Sequence, residues 1–412
     1  MSLSTAQKSN WPIVALATFS LIVSNGLAIG GLPPFYKPMR DELTAAGVIA
    51  AAGAESFIAN CANITFITSG VFSLLGGWLS LRFRLRPLMA AGCVLLGGGM
   101  LLHAWAAAPF AIYSARALMG ASLGFIGVAP CVVLISRWFD SGRGTALGVA
   151  LMGTSIGGTV IPPLASPLIA NFGWRIALAG LSIVIWLVLL PLILLVVREP
   201  ERDHTEPKTH GSQDGMTLAE ALRKPTAWVF GLCAALVFYP IFVTSQQFIL
   251  YLQTPQIGVS AAAASWTQSL LFAVSIGGKV LAGLTSDRTA PSKVMAVCAA
   301  IMFAASLVLL QLNSANFLFF LVPFALGYGG TFVLLQRLGS ELFGKRDIGR
   351  ILGAVTLVEV FGAAVGGRVT GYLADKNGGD YTFAFYGVTV AAGLAFVCAL
   401  IIAMADRRSA AA

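Results

Sequence analysis

Apolar runs of about twenty residues recur twelve times along the chain, centred near residues 23, 68, 97, 123, 158, 186, 240, 274, 302, 329, 361 and 392. Crossing about 30 Å of hydrocarbon takes roughly 20 apolar residues of helix, so each run predicts one membrane-spanning helix. The first run, from Trp11 and Pro12, is too long for a secretory leader and no small-residue cleavage site follows it cleanly; it counts as a span. Between Arg198 and Lys224 the pattern stops, and the sequence becomes REPERDHTEPKTHGSQDGMTLAEALRK, a charged, proline-containing tract typical of linkers. Six runs lie on each side of it. The expected organisation is therefore an all-α membrane protein of two six-helix bundles, residues 1–197 and 226–412, joined by a linker over 198–225. Near the linker's end, Thr217 and Glu220 have capping-box spacing ahead of Ala221 and Leu222, which predicts a short surface helix stopped by Pro225.

Composition supports this class. The chain is 57% hydrophobic and only 10% charged, against about 25% charged in ordinary globular domains. The six cysteines, Cys61, Cys93, Cys131, Cys233, Cys298 and Cys398, all fall in apolar runs without CxxC spacing and read as packing residues. No Ser/His/Asp, metal-ligand or phosphate-loop constellation is apparent. GASLGFIG (120–127) and GYGG (327–330) follow no strand and carry no Walker lysine. The expectation is a protein that is not an enzyme and needs no cofactor.

Charge placement sets orientation. With the amino terminus inside, the inward segments collect Lys8, Arg82, Arg84, Arg86, Arg137, Arg143, Arg288, Lys293, Arg337, Lys345, Arg346, Arg350, Arg407, Arg408 and the basic residues of the linker. The outward segments hold only Lys37, Arg40, Arg175 and Lys376. The positive-inside rule then predicts a multi-pass protein of the plasma or inner membrane with both termini cytoplasmic. The net charge of +9 is explained by this topology and by anionic lipid headgroups, and gives no support to nucleic-acid binding.

The halves echo one another. GTSIGGTV (153–160) in the fifth run matches GAAVGGRV (362–369) in the eleventh, and GWLSLR (77–82) after the second matches GLTSDR (283–288) after the eighth. Parallel six-helix repeats with substrate bound near the midplane are one transporter architecture.

GLTSDR, with Lys293 downstream, and RALMGASLG (116–124) resemble two motifs of the major facilitator superfamily. Within it, FYKPMRDEL, SRWFDSGRGTALGVALMGTSIGG, FGWR and ELFGKRDIGRILG are similar to phrases of the monocarboxylate transporters and the oxalate/formate antiporters. The resemblance implies that Asp287 and Arg288 clamp helix ends together. In the first-half copy Leu81 replaces the acid while Arg82 remains. It also implies a conformational role for Arg116 and a carboxylate-holding role for Lys279, since the group uses a basic residue in the eighth helix. Oxalate/formate antiporters add a cation in the eleventh helix, where this chain has Glu359, which argues against a dianion.

Only Arg116, Lys279, Glu359 and Arg368 among the charged residues fall well inside predicted spans. Charges there are costly and functional by default. Lys279 and Glu359 are expected to share a cavity: with a substrate carboxylate on Lys279, Glu359 loses its partner and takes up a proton. A static interhelical salt bridge is the bland alternative. Arg368 reads as a gate or a snorkelling residue within reach of Asp375. Asn25, Tyr239 and Tyr328, near their span centres, are candidate hydrogen-bonding groups for substrate, and Gln246 and Gln247 candidate vestibule residues. These expectations together describe a secondary carrier of a small organic monoanion coupled to protons in a lipid bilayer. Efflux of a cationic or zwitterionic compound on Glu359, or a non-transporting receptor or scaffold, are the other readings.

Overall fold

The computed structural model describes residues 11–139, 143–198, 216–343 and 348–411. Among them every regular element is helical, which suits a lipid environment because a helix satisfies its backbone amides and carbonyls within its own segment. Eleven helices are long and apolar enough to cross a membrane. The longest, Gly148–Val196, holds two spans in sequence, because Gly173 (φ 77°, ψ 162°) interrupts it with a conformation that residues bearing a Cβ avoid. The twelve-run pattern is thus accommodated.

The chain divides into two compact units, Met1–Asp203 with Ala261–Ser269, and His204–Ser260 with Leu270–Ala412. In the first, α1 (Trp11–Asn25) runs through a π-helical turn at Gly26–Gly30 into α2 (Pro33–Ala45), so Pro33 opens a helix where its missing amide hydrogen costs nothing. There follow α3 (Ala54–Arg82), α4 (Leu85–Trp105), α5 (Pro109–Ile126), α6 (Val128–Trp138), α7 (Arg143–Val184) and, after a second π-helical turn, α8 (Leu190–Val196). Helix α5 packs on α3 and α4, and α7 packs on α1.

The second unit begins with α9 (Leu218–Leu222), the short linker helix. Its capping box is complete: the Glu220 amide donates to Thr217 Oγ1 (3.3 Å), and the Thr217 amide donates to Glu220 Oε2 (2.8 Å). Met216 N donates to Phe343 O (2.9 Å), tying this segment to the end of α13. Next come α10 (Pro225–Leu252), α11 (Ala261–Ser286), α12 (Pro291–Ser306), α13 (Phe317–Phe343), α14 (Ile348–Lys376) and α15 (Thr382–Ala411). Helix α10 packs on α14 and α15, and α12 on α13 and α15.

The repeated glycine motif performs the same task in each unit. A Cβ on Gly153 would lie 2.5 Å from Thr18 O on α1, and one on Gly362 would lie 2.2 Å from Ala235 O on α10. Small residues let these backbones approach closely, which is how helices associate where water supplies no drive. Large apolar side chains such as Leu187, Leu195, Phe319 and Phe361 are exposed, as befits a surface solvated by lipid.

Candidate functional site

The second unit brings Lys279, Glu359 and Tyr328 around one face of α13. Tyr328, Phe332 and Gln336 stand four residues apart and so share that face. The Lys279 ammonium lies over the Phe332 ring, 4.9 Å from its centroid, a geometry in which the ring quadrupole attracts the cation. One turn on, Gln336 Nε2 donates to Glu359 Oε1 at 3.4 Å. Phe332 also meets the ring of Phe238 from α10 (6.0 Å) and that of Tyr328 (6.4 Å), and Tyr328 packs edge-on to Phe272 of α11 (6.4 Å). Glu359 is 4% exposed.

Close backbones set Lys279 on this face. A Cβ on Gly329 would fall 2.0 Å from Ser275 O and 2.9 Å from the Lys279 amide, and one on Gly278 would fall 2.1 Å from Leu326 O. Glycine on each side of the α11/α13 seam draws the helices together, so the lysine stem leaves the seam directly against the next turn of α13.

One expectation changes. Lys279 and Glu359 form no ion pair; each instead contacts α13, at Phe332 and Gln336. Neither Phe332 nor Gln336 stood out in the sequence, although their spacing from Tyr328 along one helix face was readable. Tyr239 is placed elsewhere. Its ring lies against Gly366 of α14 and its hydroxyl against Gly387 of α15, with Thr370 as an interacting group. Gln247 is buried and donates from Nε2 to Gly367 O (3.2 Å), and Gln246 is buried beside it.

The conformational candidates also sort themselves. Arg337 Nη1 donates to Asp287 Oδ1 (2.5 Å) and Ser286 Oγ (2.8 Å), and its Nε donates to Glu341 Oε1 (3.0 Å). The cation paired with Asp287 is therefore Arg337 of α13, whereas Arg288 is exposed and makes no ion pair among the described residues. The first unit repeats the contact in another form. Arg137 of α6 donates from Nη2 to Ser80 O (2.5 Å), and Ser80 is the counterpart of Ser286 in the paired motifs. With Leu81 where the acid would be, that arginine takes a backbone carbonyl. Arg82 ends α3, and its side chain lies outside the described residues.

Three candidates remain. Asn25 closes α1 just before the π-helical turn, with Nδ2 3.5 Å from Ser24 Oγ. Arg368 is exposed and makes no ion pair with Asp375. Arg116, in the first unit, is fully buried. No group of three or more His, Cys, Asp or Glu residues suited to a metal occurs among the described residues.

The family model of the Major Facilitator Superfamily matches residues 14–255 and 247–412. The chain belongs to that superfamily. Major facilitator proteins are transporters and not enzymes, so a multi-pass membrane transporter of small molecules is established for this chain. Among its relatives are the MFS transporter asaE of Aspergillus flavus, 27% identical over 65% of this chain and 60% of that protein, and monocarboxylate transporter 13 of Rattus norvegicus, 27% identical over 76% and 72%. The oxalate:formate antiporter of Oxalobacter formigenes is 24% identical over 88% and 85%. A bacterial homologue of the human lysosomal transporter Spinster, solved in an inward-facing conformation, has the same major facilitator fold. Its TM-score is 0.74 at 15% identity over 97% and 98% of the two chains.

Proposed function

We propose that this protein carries a small organic monocarboxylate across the plasma or inner membrane together with protons, by alternating access of two six-helix bundles, with both termini cytoplasmic. The observation that carries the reading is the face of α13 on which a membrane-embedded ammonium, Lys279, and a buried carboxylate, Glu359, occupy successive turns. Names of relatives that include a monocarboxylate transporter and an oxalate:formate antiporter support the anion class.

In this mechanism Lys279 binds the substrate carboxylate, with the Phe332 ring fixing the ammonium and Tyr328 offering a hydroxyl nearby. Glu359 is the proton carrier. In a dry site an ionised carboxylate needs hydrogen bonds or a counter-charge, and Gln336 supplies a hydrogen bond. Coupling then passes through the shared helix face: a substrate that draws Lys279 off Phe332 repacks α13, and the Gln336 donor moves with it. Proton uptake by Glu359 removes the need for that donor, and substrate and proton cross as a neutral set. Asp287 with Arg337 serves the conformational change.

Efflux of a cation on Glu359 is less well supported, because that carboxylate is buried and already engaged by Gln336. Uptake of a panel of radiolabelled monocarboxylates into proteoliposomes, with and without an inward proton gradient, tests the proposal. Gradient-driven accumulation of at least one monocarboxylate, lost in Lys279→Ala, is the expected result. Carriage of no carboxylate, with some other compound still transported by Lys279→Ala, defeats it.

A further inference from the structure

The first unit holds a membrane-embedded cation for which the mechanism above has no use. Arg116 of α5 is 0% exposed. The glycines one and two turns on, Gly120 and Gly124, press α5 against α3: a Cβ on Gly120 would sit 2.2 Å from Thr65 O, and one on Gly124 would sit 2.2 Å from Phe72 O. Arg116 continues that face toward the Pro109 end of the helix, where its guanidinium lies over the Tyr36 ring of α2, 5.3 Å from the centroid. The Cys61 thiol of α3 and the His103 imidazole of α4 also interact with it electrostatically. His103 is 1% exposed and meets Met39 Sδ through Nε2 at 3.3 Å, and Met39 lies one turn from Tyr36 on α2. The phenol of Tyr36, the Cys61 thiol and the His103 imidazole, on three further helices, are thus the groups that interact with the guanidinium.

None of these groups is a carboxylate. Among the described residues the guanidinium nitrogens have no partner beyond a loose contact with the Tyr36 phenol, and no acid forms an ion pair with Arg116. A guanidinium cannot shed its charge, and its five donors lie in a planar fork. Burying it without an anion costs several kcal/mol. Tyr36 offers a ring face, which attracts a cation, and a phenol oxygen that interacts with the guanidinium; a single neutral acceptor leaves the charge and most of the five donors unmatched. A partner that matches this fork has the chemistry of a small anion that accepts two parallel hydrogen bonds.

We propose that Arg116 is the anchor of a small-anion site in the first unit, occupied by a carboxylate or by an inorganic anion such as chloride. A carboxylate matches the fork with two oxygens, whereas chloride offers charge alone. This site is separate from the Lys279 face and stands whether or not Lys279 binds substrate.

The test uses the full-length protein in detergent, with acetate and chloride as separate titrants at constant ionic strength set by a bulky organic sulfonate. Thermal unfolding is followed in the unaltered protein, in Lys279→Ala and in Arg116→Lys, which keeps the charge and loses the fork. Saturable stabilisation by acetate is expected to persist in Lys279→Ala and to need at least tenfold more acetate in Arg116→Lys, as for loss of a charge-assisted hydrogen-bond pair. Stabilisation by chloride alone identifies the inorganic anion as the occupant. An acetate response identical in Arg116→Lys and abolished in Lys279→Ala overturns the proposal. A second readout needs no change at Arg116: alkylation of Cys61 by a small maleimide, followed by mass spectrometry, is expected to slow saturably with the bound anion. A rate indifferent to both titrants also overturns it.

Discussion

Replacing Gly120 by alanine isolates what the seam between α3 and α5 is worth. The added Cβ would fall 2.0 Å from Thr68 Oγ1 and 2.2 Å from Thr65 O. The threonine hydroxyl can rotate away, but the carbonyl belongs to helix backbone. To reach the 3.0 Å that real Cβ atoms keep, the two helices must part by about 0.8 Å. Overpacking of this kind costs about 1 to 3 kcal/mol. Gly98, in the interior of α4, provides the control, because a Cβ there meets nothing within 4 Å. Both substitutions gain the same helix propensity, about 1 kcal/mol, so the difference between them reports the seam alone. Unfolding in mixed micelles should place Gly120→Ala about 1 to 3 kcal/mol below Gly98→Ala, with Gly98→Ala at or above the parent. Equal stabilities for the two variants would falsify the argument that a direct backbone contact holds these helices. Arg116 lies one turn from the substitution, so anion stabilisation should weaken in Gly120→Ala and not in Gly98→Ala.

Glu359→Gln should abolish proton-driven accumulation in proteoliposomes while leaving substrate exchange intact; unchanged accumulation would remove Glu359 from coupling. Phe332→Leu keeps apolar volume and removes the ring beneath Lys279. A cation–π contact worth about 0.5 to 2 kcal/mol predicts a change in substrate affinity of about 2- to 30-fold, read from the concentration dependence of uptake. Asp287→Asn breaks an ion pair whose carboxylate is largely exposed. Unfolding should shift by no more than about 1 kcal/mol, whereas the transport rate should fall if the Asp287–Arg337 contact belongs to the conformational cycle.

Helices were legible in the sequence because apolar length alone encodes them, and the linker helix because Thr217 and Glu220 have one favourable local arrangement. Superfamily membership was legible from GLTSDR and RALMGASLG. Contacts across helices were harder to read. Asp287 was recognised, but its partner Arg337 is fifty residues away and competed on paper with the adjacent Arg288. Lys279 and Glu359 suggested a shared cavity in which each is the other's counter-charge, because opposite charges in a membrane invite pairing. Their separate partners, Phe332 and Gln336, follow from the rotation of α13 about its axis, which glycine contacts at the α11/α13 seam determine and hydropathy does not. Tyr239 lay at the right depth on the wrong side of its helix, a distinction of about 100° per residue that a span centre cannot supply.

The two arginine contacts at Ser80 and Ser286 differ in physical kind, and that difference has a consequence for how the units respond to their surroundings. In the second unit Arg337 grips an exposed acid, so its hold is weakened by dissolved ions, whose screening length is about 8 Å at physiological strength. In the first, Arg137 grips a peptide carbonyl, a dipole far less sensitive to screening. The Arg137–Ser80 contact is thus the less ion-sensitive of these two contacts. Raising the ionic strength should weaken the Asp287–Arg337 contact ahead of the Arg137–Ser80 contact, so that equivalent positions of the two repeats answer differently to the same salt.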